Sequence, residues 1–220
     1  MKVKPVLSPL GEFHLEFVRD IYGRPENYGP KFIAHGHPRQ LTGDRIAVAS
    51  ILLVGNAIAH TLDVGRDVSS RVASAINLFL NEQFVSISNV VKSPPAYLSG
   101  GVELVLQSDL SRLDSVEDKM GRKRLLFVDL PTDKFAGRLM DFEAIQMASN
   151  SYLFSSEVCA GNPVPRLWSR LALAIIFASD LSVSRISLPE DLCGDITATE
   201  LSRLVELLQS IEINLVVGEV

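Results

Sequence analysis

With 220 residues, 47% hydrophobic and 21% charged, the chain has ample material for a core, which favours one compact domain or two small lobes. A net charge of −5 and a pI near 5.4 argue against a general nucleic-acid-binding surface, while leaving room for a local basic groove. The longest charge-free apolar run starts at Ile46 and is broken by Ser50, Gly55, Asn56 and His60 before Asp63. It falls short of the roughly 20 mainly apolar residues of a membrane span, so a buried core segment and no membrane contact are expected.

Lys2–Leu7 reads as a first strand, with Pro5 better placed at a sheet edge because it cannot donate to the ladder. Leu10, Phe13, Phe17 and Ile21 then recur at helical spacing, with Glu12, Glu16, Arg19 and Asp20 on the remaining positions. That spacing predicts a helix. Glycine, proline and asparagine crowd residues 23–30, a loop. A brief apolar piece, Phe32-Ile33-Ala34, precedes His35-Gly36-His37-Pro38.

Residues 44–62 admit two readings. One is a helix with Asp44 near its start; the other is a strand leading into Gly55-Asn56-Ala57 and a short helix. Alanine content and length favour the helix. Asp67 and Ser69 are both competent N-caps for the next helix, whose stripe is Val68, Val72, Ile76 and Phe79. Residues 84–91 alternate and are β-branched, which predicts a strand, and 102–107 predicts another. Charge and polarity rise sharply over 108–124, a solvated connection. Leu125-Leu126-Phe127-Val128 reads as a fully buried strand ending at Asp129. A helix is predicted over 142–154 with Asp141 as its cap.

The most regular stretch is the last. Pro163 and Pro165 stand before a long apolar run, which fits a helix beginning just after them. Residues 183–188 follow as a strand stopped by Pro189. Thr197-Ala198-Thr199-Glu200 has the spacing of a capping box, and Leu201, Leu204, Val205, Leu208 and Ile211 continue as an amphipathic stripe. Residues 213–217 close with a strand. A strand, a crossover helix and a second strand normally make a right-handed parallel unit. The expected fold is therefore α/β: a Rossmann-like layered sheet with helices packed on it, and the C-terminal βαβ-type unit its most regular part. An N-terminal α/β portion (1–110), a polar connection (111–124) and a C-terminal Rossmann-like portion (125–220) are expected to form one compact domain.

No complete catalytic or cofactor motif is present. Ser99-Gly100-Gly101 and Gly55-Asn56 lack both the Lys-Ser/Thr of a P-loop and the three glycines of a dinucleotide fingerprint. Asp129, Glu190 and Asp191 each follow a predicted strand at its C-terminal end, where open α/β sheets place ligands. If their strands are close neighbours, these carboxylates could hold a divalent metal or act as acid and base; acids in such places also cap helices and fill loops. His35 and His37 could share a metal, but zinc requires at least one further ligand, and Asp44 or His60 would serve only if the fold brought them in. The plainer alternative is a loop carrying two histidines. Cys159 and Cys193 make no disulfide framework, and no signal-like segment opens the sequence, so reduced thiols and a cytoplasmic location are expected.

Two functional classes fit these residues. The first is a binding or assembly module, working with a protein partner or as a homo-oligomer, motivated by abundant core and no assembled catalytic set. The second is an enzyme acting on a nucleotide or other anionic small molecule through Asp129, Glu190 and Asp191, with His35 and His37 in support. No cofactor is indicated for either.

Overall fold

The computed structural model of the protein describes residues 1–18, 31–81, 83–92, 100–107, 123–141, 143–155, 164–194 and 196–218. The loop over 23–30, all but the last two residues of the polar connection over 108–124, and Cys159 lie outside them. Within them the chain is α/β, with one nine-stranded sheet of mixed direction, two two-stranded ladders and four α-helices.

The helix expected over 10–21 is corrected to a strand. β1 (Lys2–Leu7) and β2 (Glu12–Val18) form an antiparallel hairpin that pairs Lys2 with Val18 and Leu7 with Phe13. Phe13, Leu15 and Phe17 are buried to 2% exposure or less, while Glu12, Glu16 and Val18 keep partial exposure and His14 is buried against Glu12, so the apolar period is two. Leu10, which the helical spacing placed in the apolar stripe, is 86% exposed at the hairpin tip, where Gly11 supplies a φ of +85°. β3 (Phe32–His35) continues the sheet antiparallel to β2.

Residues 44–62 resolve towards the helix. In α1 (Gly43–Val54) the Thr42 side chain accepts the Arg45 N–H, and every residue of the helix is buried. Its Asp44 carboxylate accepts the Ser69 N–H at 2.6 Å. The two short strands β4 (Thr61–Leu62) and β5 (Val68–Ser69) follow, and Ser69, not Asp67, caps α2 (Ser70–Leu80) through the Val72 N–H. The strand expected over 84–91 is divided into β6 (Ser86–Ile87) and β7 (Val90–Val91), with Asn89 at φ 57° between them. These pair in parallel with β4 and β5.

β8 (Val102–Gln107) and β9 (Arg124–Pro131) form where the apolar runs predict them. The helix expected over 142–154 does not. After β10 (Arg138–Met140), Asp141 Oδ1 accepts the N–H groups of Glu143 at 2.8 Å and Ala144 at 2.6 Å, as a helix cap would. That turn instead opens β11 (Ala144–Ser149), which is buried on both faces and so shows no polar alternation to identify it. A 3-10 segment (Ser151–Ser155) precedes α3 (Arg166–Phe177), then come β12 (Val183–Leu188), α4 (Ala198–Gln209) and β13 (Asn214–Val217). Both halves of the Thr197–Glu200 capping box are formed, and α4 connects the parallel pair β12 and β13 as expected.

The sheet order is β1-β2-β3-β11-β9-β8-β12-β13, with β10 also paired to β11. β11, β9, β8, β12 and β13 are mutually parallel. In chain order these five lie third, second, first, fourth, fifth, so the winding reverses between β8 and β12. The step from β9 to β11 runs through β10, a strand antiparallel to β11.

Leu104, Leu106, Leu125, Phe127, Ile145 and Met147 on one sheet face join residues from all four helices in a continuous core. On the other face Val105, Leu126 and Ala144 form a separate small cluster. Beside it Glu103 accepts from Arg124 at 3.3 Å and from the Ser187 hydroxyl at 2.5 Å. Among the described residues no helix is long and apolar enough to cross a membrane.

The join between α1 and β5 leaves no room for a side chain at residue 43, where a Cβ would strike the Asp67 carbonyl oxygen, whereas a Cβ at Gly101 would meet nothing within 4 Å. Gly43→Ala is expected to lower unfolding free energy by about 1–3 kcal/mol, the usual cost of overpacking. Gly101→Ala is expected to stay within about 0.5 kcal/mol of wild type. Urea denaturation of the two variants side by side checks this, and equal midpoints would refute the close approach.

Candidate functional site

Asp129 lies near the carboxyl end of β9, paired with Met147, and Ser149 is the last residue of the neighbouring β11. Beyond β11 the chain is held in place by Asn150. Its backbone N–H donates to the Ile33 carbonyl at 3.0 Å, its Oδ1 accepts the Ile33 N–H at 2.7 Å, and its Nδ2 donates to the Lys31 carbonyl at 2.7 Å. This single asparagine fixes the turn from strand into 3-10 segment and orients Ser149 and Ser151 on either side of it.

Both serines serve Asp129. The Ser149 hydroxyl donates to Asp129 Oδ1 at 2.6 Å, and the Ser151 hydroxyl donates to Oδ2. Ser149 Oγ also accepts the Ser151 N–H at 3.1 Å, so its proton is committed to the carboxylate. A cleft of about 390 Å³ opens here, lined among the described residues by Asp129, Ser151, Tyr152 and Ser155, by Asp133 and Lys134 after β9, and by Arg166, Ser169 and Arg170 of α3.

Two opposed effects act on Asp129. Part of the residue's surface stays accessible, but its carboxyl is enclosed, and loss of hydration pushes its pKa above the ordinary 3.8. The two serine hydroxyls and the Arg170 charge pull it back part of the way. The far wall is positive. No described side chain caps the N-terminus of α3, and its first turn contains no acid. Arg166 and Arg170 therefore add to the positive end of the helix dipole.

Glu190 does not join this cleft, and Asp191 follows it in the backbone. They sit in a 3-10 turn (Glu190–Leu192) after β12, which β8 separates from β9. At ordinary strand spacing that is roughly 10 Å away. Glu190 is exposed and does not belong to the described lining. The strand-end rule thus places all three residues at the same end of the sheet, and the strand order keeps Asp129 and Glu190 from facing each other.

His35 and His37 point to different partners. His35 Nδ1 accepts the Gly137 N–H at 3.0 Å, which puts the ring proton on Nε2, 3.7 Å from Glu12. His14 Nε2 lies 2.9 Å from the same carboxylate. His37 Nε2 contacts the Ser8 carbonyl at 3.2 Å. Asp44 is buried against Ser69 and His60 is exposed, so neither completes a set with them. Among the described residues no group of three His, Cys, Asp or Glu side chains could hold a metal ion. Cys193 Sγ lies 3.8 Å from the Pro189 carbonyl.

Ser149, Ser151, Arg166, Arg170 and Lys134 escaped the sequence reading. Ser149-Asn150-Ser151 lies inside the helix expected over 142–154, and the two arginines belong to the helix expected just after Pro163 and Pro165. The available signal was a polar triplet directly after a wholly apolar strand.

The raised pKa of Asp129 has a defined sign in stability. Between 3.8 and its folded value, the folded chain retains a proton that the unfolded chain has released. Stability from this group is therefore present at low pH and is lost as pH rises through the folded pKa. Asp129→Asn removes the titration. The unfolding free energy of wild type minus that of the variant is expected to increase as pH falls from neutral towards 3.8, read by urea denaturation. A difference independent of pH would refute the desolvated carboxyl.

No protein-family model, no curated protein and no solved structure matches this chain.

Proposed function

We propose that the protein binds a small anionic ligand in the cleft at the carboxyl ends of β9 and β11. The observation that carries this reading is the convergence of Arg166, Arg170 and Lys134 on one cleft that also holds two carboxylates, the enclosed Asp129 and the exposed Asp133. Guanidinium groups take phosphate and carboxylate oxygens through paired, charge-assisted hydrogen bonds, and the start of α3, which no described side chain caps, adds donors of the same sign. A volume of about 390 Å³ stands near the lower end of the roughly 300–1,000 Å³ range of small-molecule sites. With Glu190 elsewhere on the sheet edge, an acid–base carboxylate pair is not part of the proposal, and Asp129 acts as a binding group. The low cysteine content suits a cytoplasmic setting for such a protein.

Thermal shift with inorganic phosphate and pyrophosphate tests the reading. A ligand at a hundred times its dissociation constant stabilises by about 2.7 kcal/mol, and the shift is expected to disappear in the Arg166→Gln/Arg170→Gln double variant. Absence of any shift in wild type, or an undiminished one in the double variant, would sink the proposal.

One observation favours assembly as a second property. Among the described residues β13 is the last strand of the sheet, its four residues Asn214–Val217 carry no charge, and Val216 and Val217 are exposed. A neutral outer strand edge is a template for another strand. Self-pairing predicts a particle of twice the 24.1 kDa chain mass in light scattering, reverting to one chain on Val216→Lys/Val217→Lys. A single-chain mass for wild type at all concentrations would exclude it.

A further inference from the structure

A cleft that takes an anion and already holds two acids has to accommodate charges of the same sign. We infer that the ligand enters together with a proton, which settles on Asp129, so that anion binding is coupled to pH. The inference rests on the anion-binding reading and adds the condition under which that site fills.

The balance of charge carries the argument. The described lining holds three cations, Lys134, Arg166 and Arg170, against two acids, Asp129 and Asp133. With both acids ionised the cations exceed them by one, so a dianion leaves the filled cleft negative. One added proton makes it neutral. The space is small enough for the imbalance to act. A cavity of about 390 Å³ is comparable in width with the roughly 8 Å over which charges are screened in physiological salt.

Asp129 is the acid that takes the proton. Asp133 is exposed, so water screens its charge. The Asp129 carboxyl is enclosed, and loss of hydration already holds its pKa above 3.8. Its ionised form is supported by the hydroxyls of Ser149 and Ser151 and by the charge of Arg170. An anion on Arg170 engages that charge for itself and brings a like charge towards the carboxylate. Both changes favour protonation, and the neutral acid has an O–H to donate.

The groups around Asp129 do not titrate in its place. The neighbouring β11 carries no ionisable side chain, and Glu103 of β8 is paired with Arg124 on the opposite sheet face. Apart from the two acids, the ionisable groups of the described lining are a phenol, an ammonium and two guanidiniums, and no histidine belongs to it. Those classes titrate at about pH 10 and above. A ligand that prefers the protonated cleft binds fully below the pKa of Asp129 in the empty site. Its affinity falls as pH rises from there to the higher pKa of the complex.

Titration calorimetry of the full chain with sodium sulfate, which stays fully ionised, tests this between about pH 5 and 8.5, below the phenol and ammonium range. Wild type is expected to bind sulfate about tenfold or more tightly at the acid end, the scale of like-charge repulsion in a partly enclosed site. At the midpoint of that change, titrations in two buffers of different ionisation enthalpy are expected to show net proton uptake. In Asp129→Asn both effects are expected to vanish, and at the alkaline end this variant is expected to bind sulfate more tightly than wild type. Sulfate binding by wild type without pH dependence or proton uptake would overturn the inference and leave the anion reading intact. An undiminished pH dependence in Asp129→Asn would also overturn it, by placing the proton elsewhere. Binding of neither sulfate nor phosphate at any pH would overturn both readings. Proton uptake by wild type decides by itself should the variant fail to fold.

Discussion

A helix with no wet face cannot lie on the outside of anything. All twelve residues of α1 are buried, and enclosing them sets the plan of the molecule. Its six large aliphatic side chains, Ile46, Val48, Ile51, Leu52, Leu53 and Val54, contribute on the order of 10 kcal/mol by burial alone. That contribution exists only if neighbours surround the helix. α3 packs along it, also buried over most of its length, and residues of β1, β2 and β3 join the same continuous core as the parallel strands. The Asp44–Ser69 hydrogen bond then ties the buried start of α1 to the cap of α2. The cleft follows from this arrangement. Because α3 must lie against α1, its arginine-bearing N-terminus comes to the carboxyl ends of β9 and β11 and faces Asp129.

Much of this fold can be read from the residues, and the exceptions share a cause. The Thr197–Glu200 box and the strand stopped by Pro189 are local features, settled by side chains within a few residues of one another, and they form as the spacing indicates. β2 is different. Leu10, Phe13 and Phe17 satisfy a helical repeat, while Phe13, Leu15 and Phe17 satisfy alternation, and Phe13 and Phe17 support both. Pairing with β1 on one side and β3 on the other makes the strand, and neither partner is visible from within the segment. β11 fails for a related reason. Its burial on both faces removes alternation, and Asp141 makes the same hydrogen bonds to a turn that it would make to a helix.

The site was legible only where position along a strand suffices. Asp129 is found by the rule that ligands gather at strand ends. Glu190 satisfies the same rule equally well, and only the order of strands across the sheet separates the two. The partners of Asp129 come from an asparagine-fixed turn and from a helix remote in sequence, so no local pattern announces them.

The buried trio of Glu103, Arg124 and Ser187 has a consequence for alignment. β8 and β9 carry Leu and Val on both faces, so sliding one past the other by a residue exchanges one apolar surface for another at small cost. The ion pair does not tolerate the same slip. Moving β9 by one position would carry Arg124 to the opposite face and strand Glu103 in the interior, and an isolated buried charge is far costlier than a buried pair is beneficial. The trio therefore serves as an index mark for the sheet. Since a one-residue slip inverts every side chain of a strand, that mark also determines on which side of the sheet Asp129 emerges. A polar contact on one face thus guarantees that the carboxylate opens into the cleft on the other.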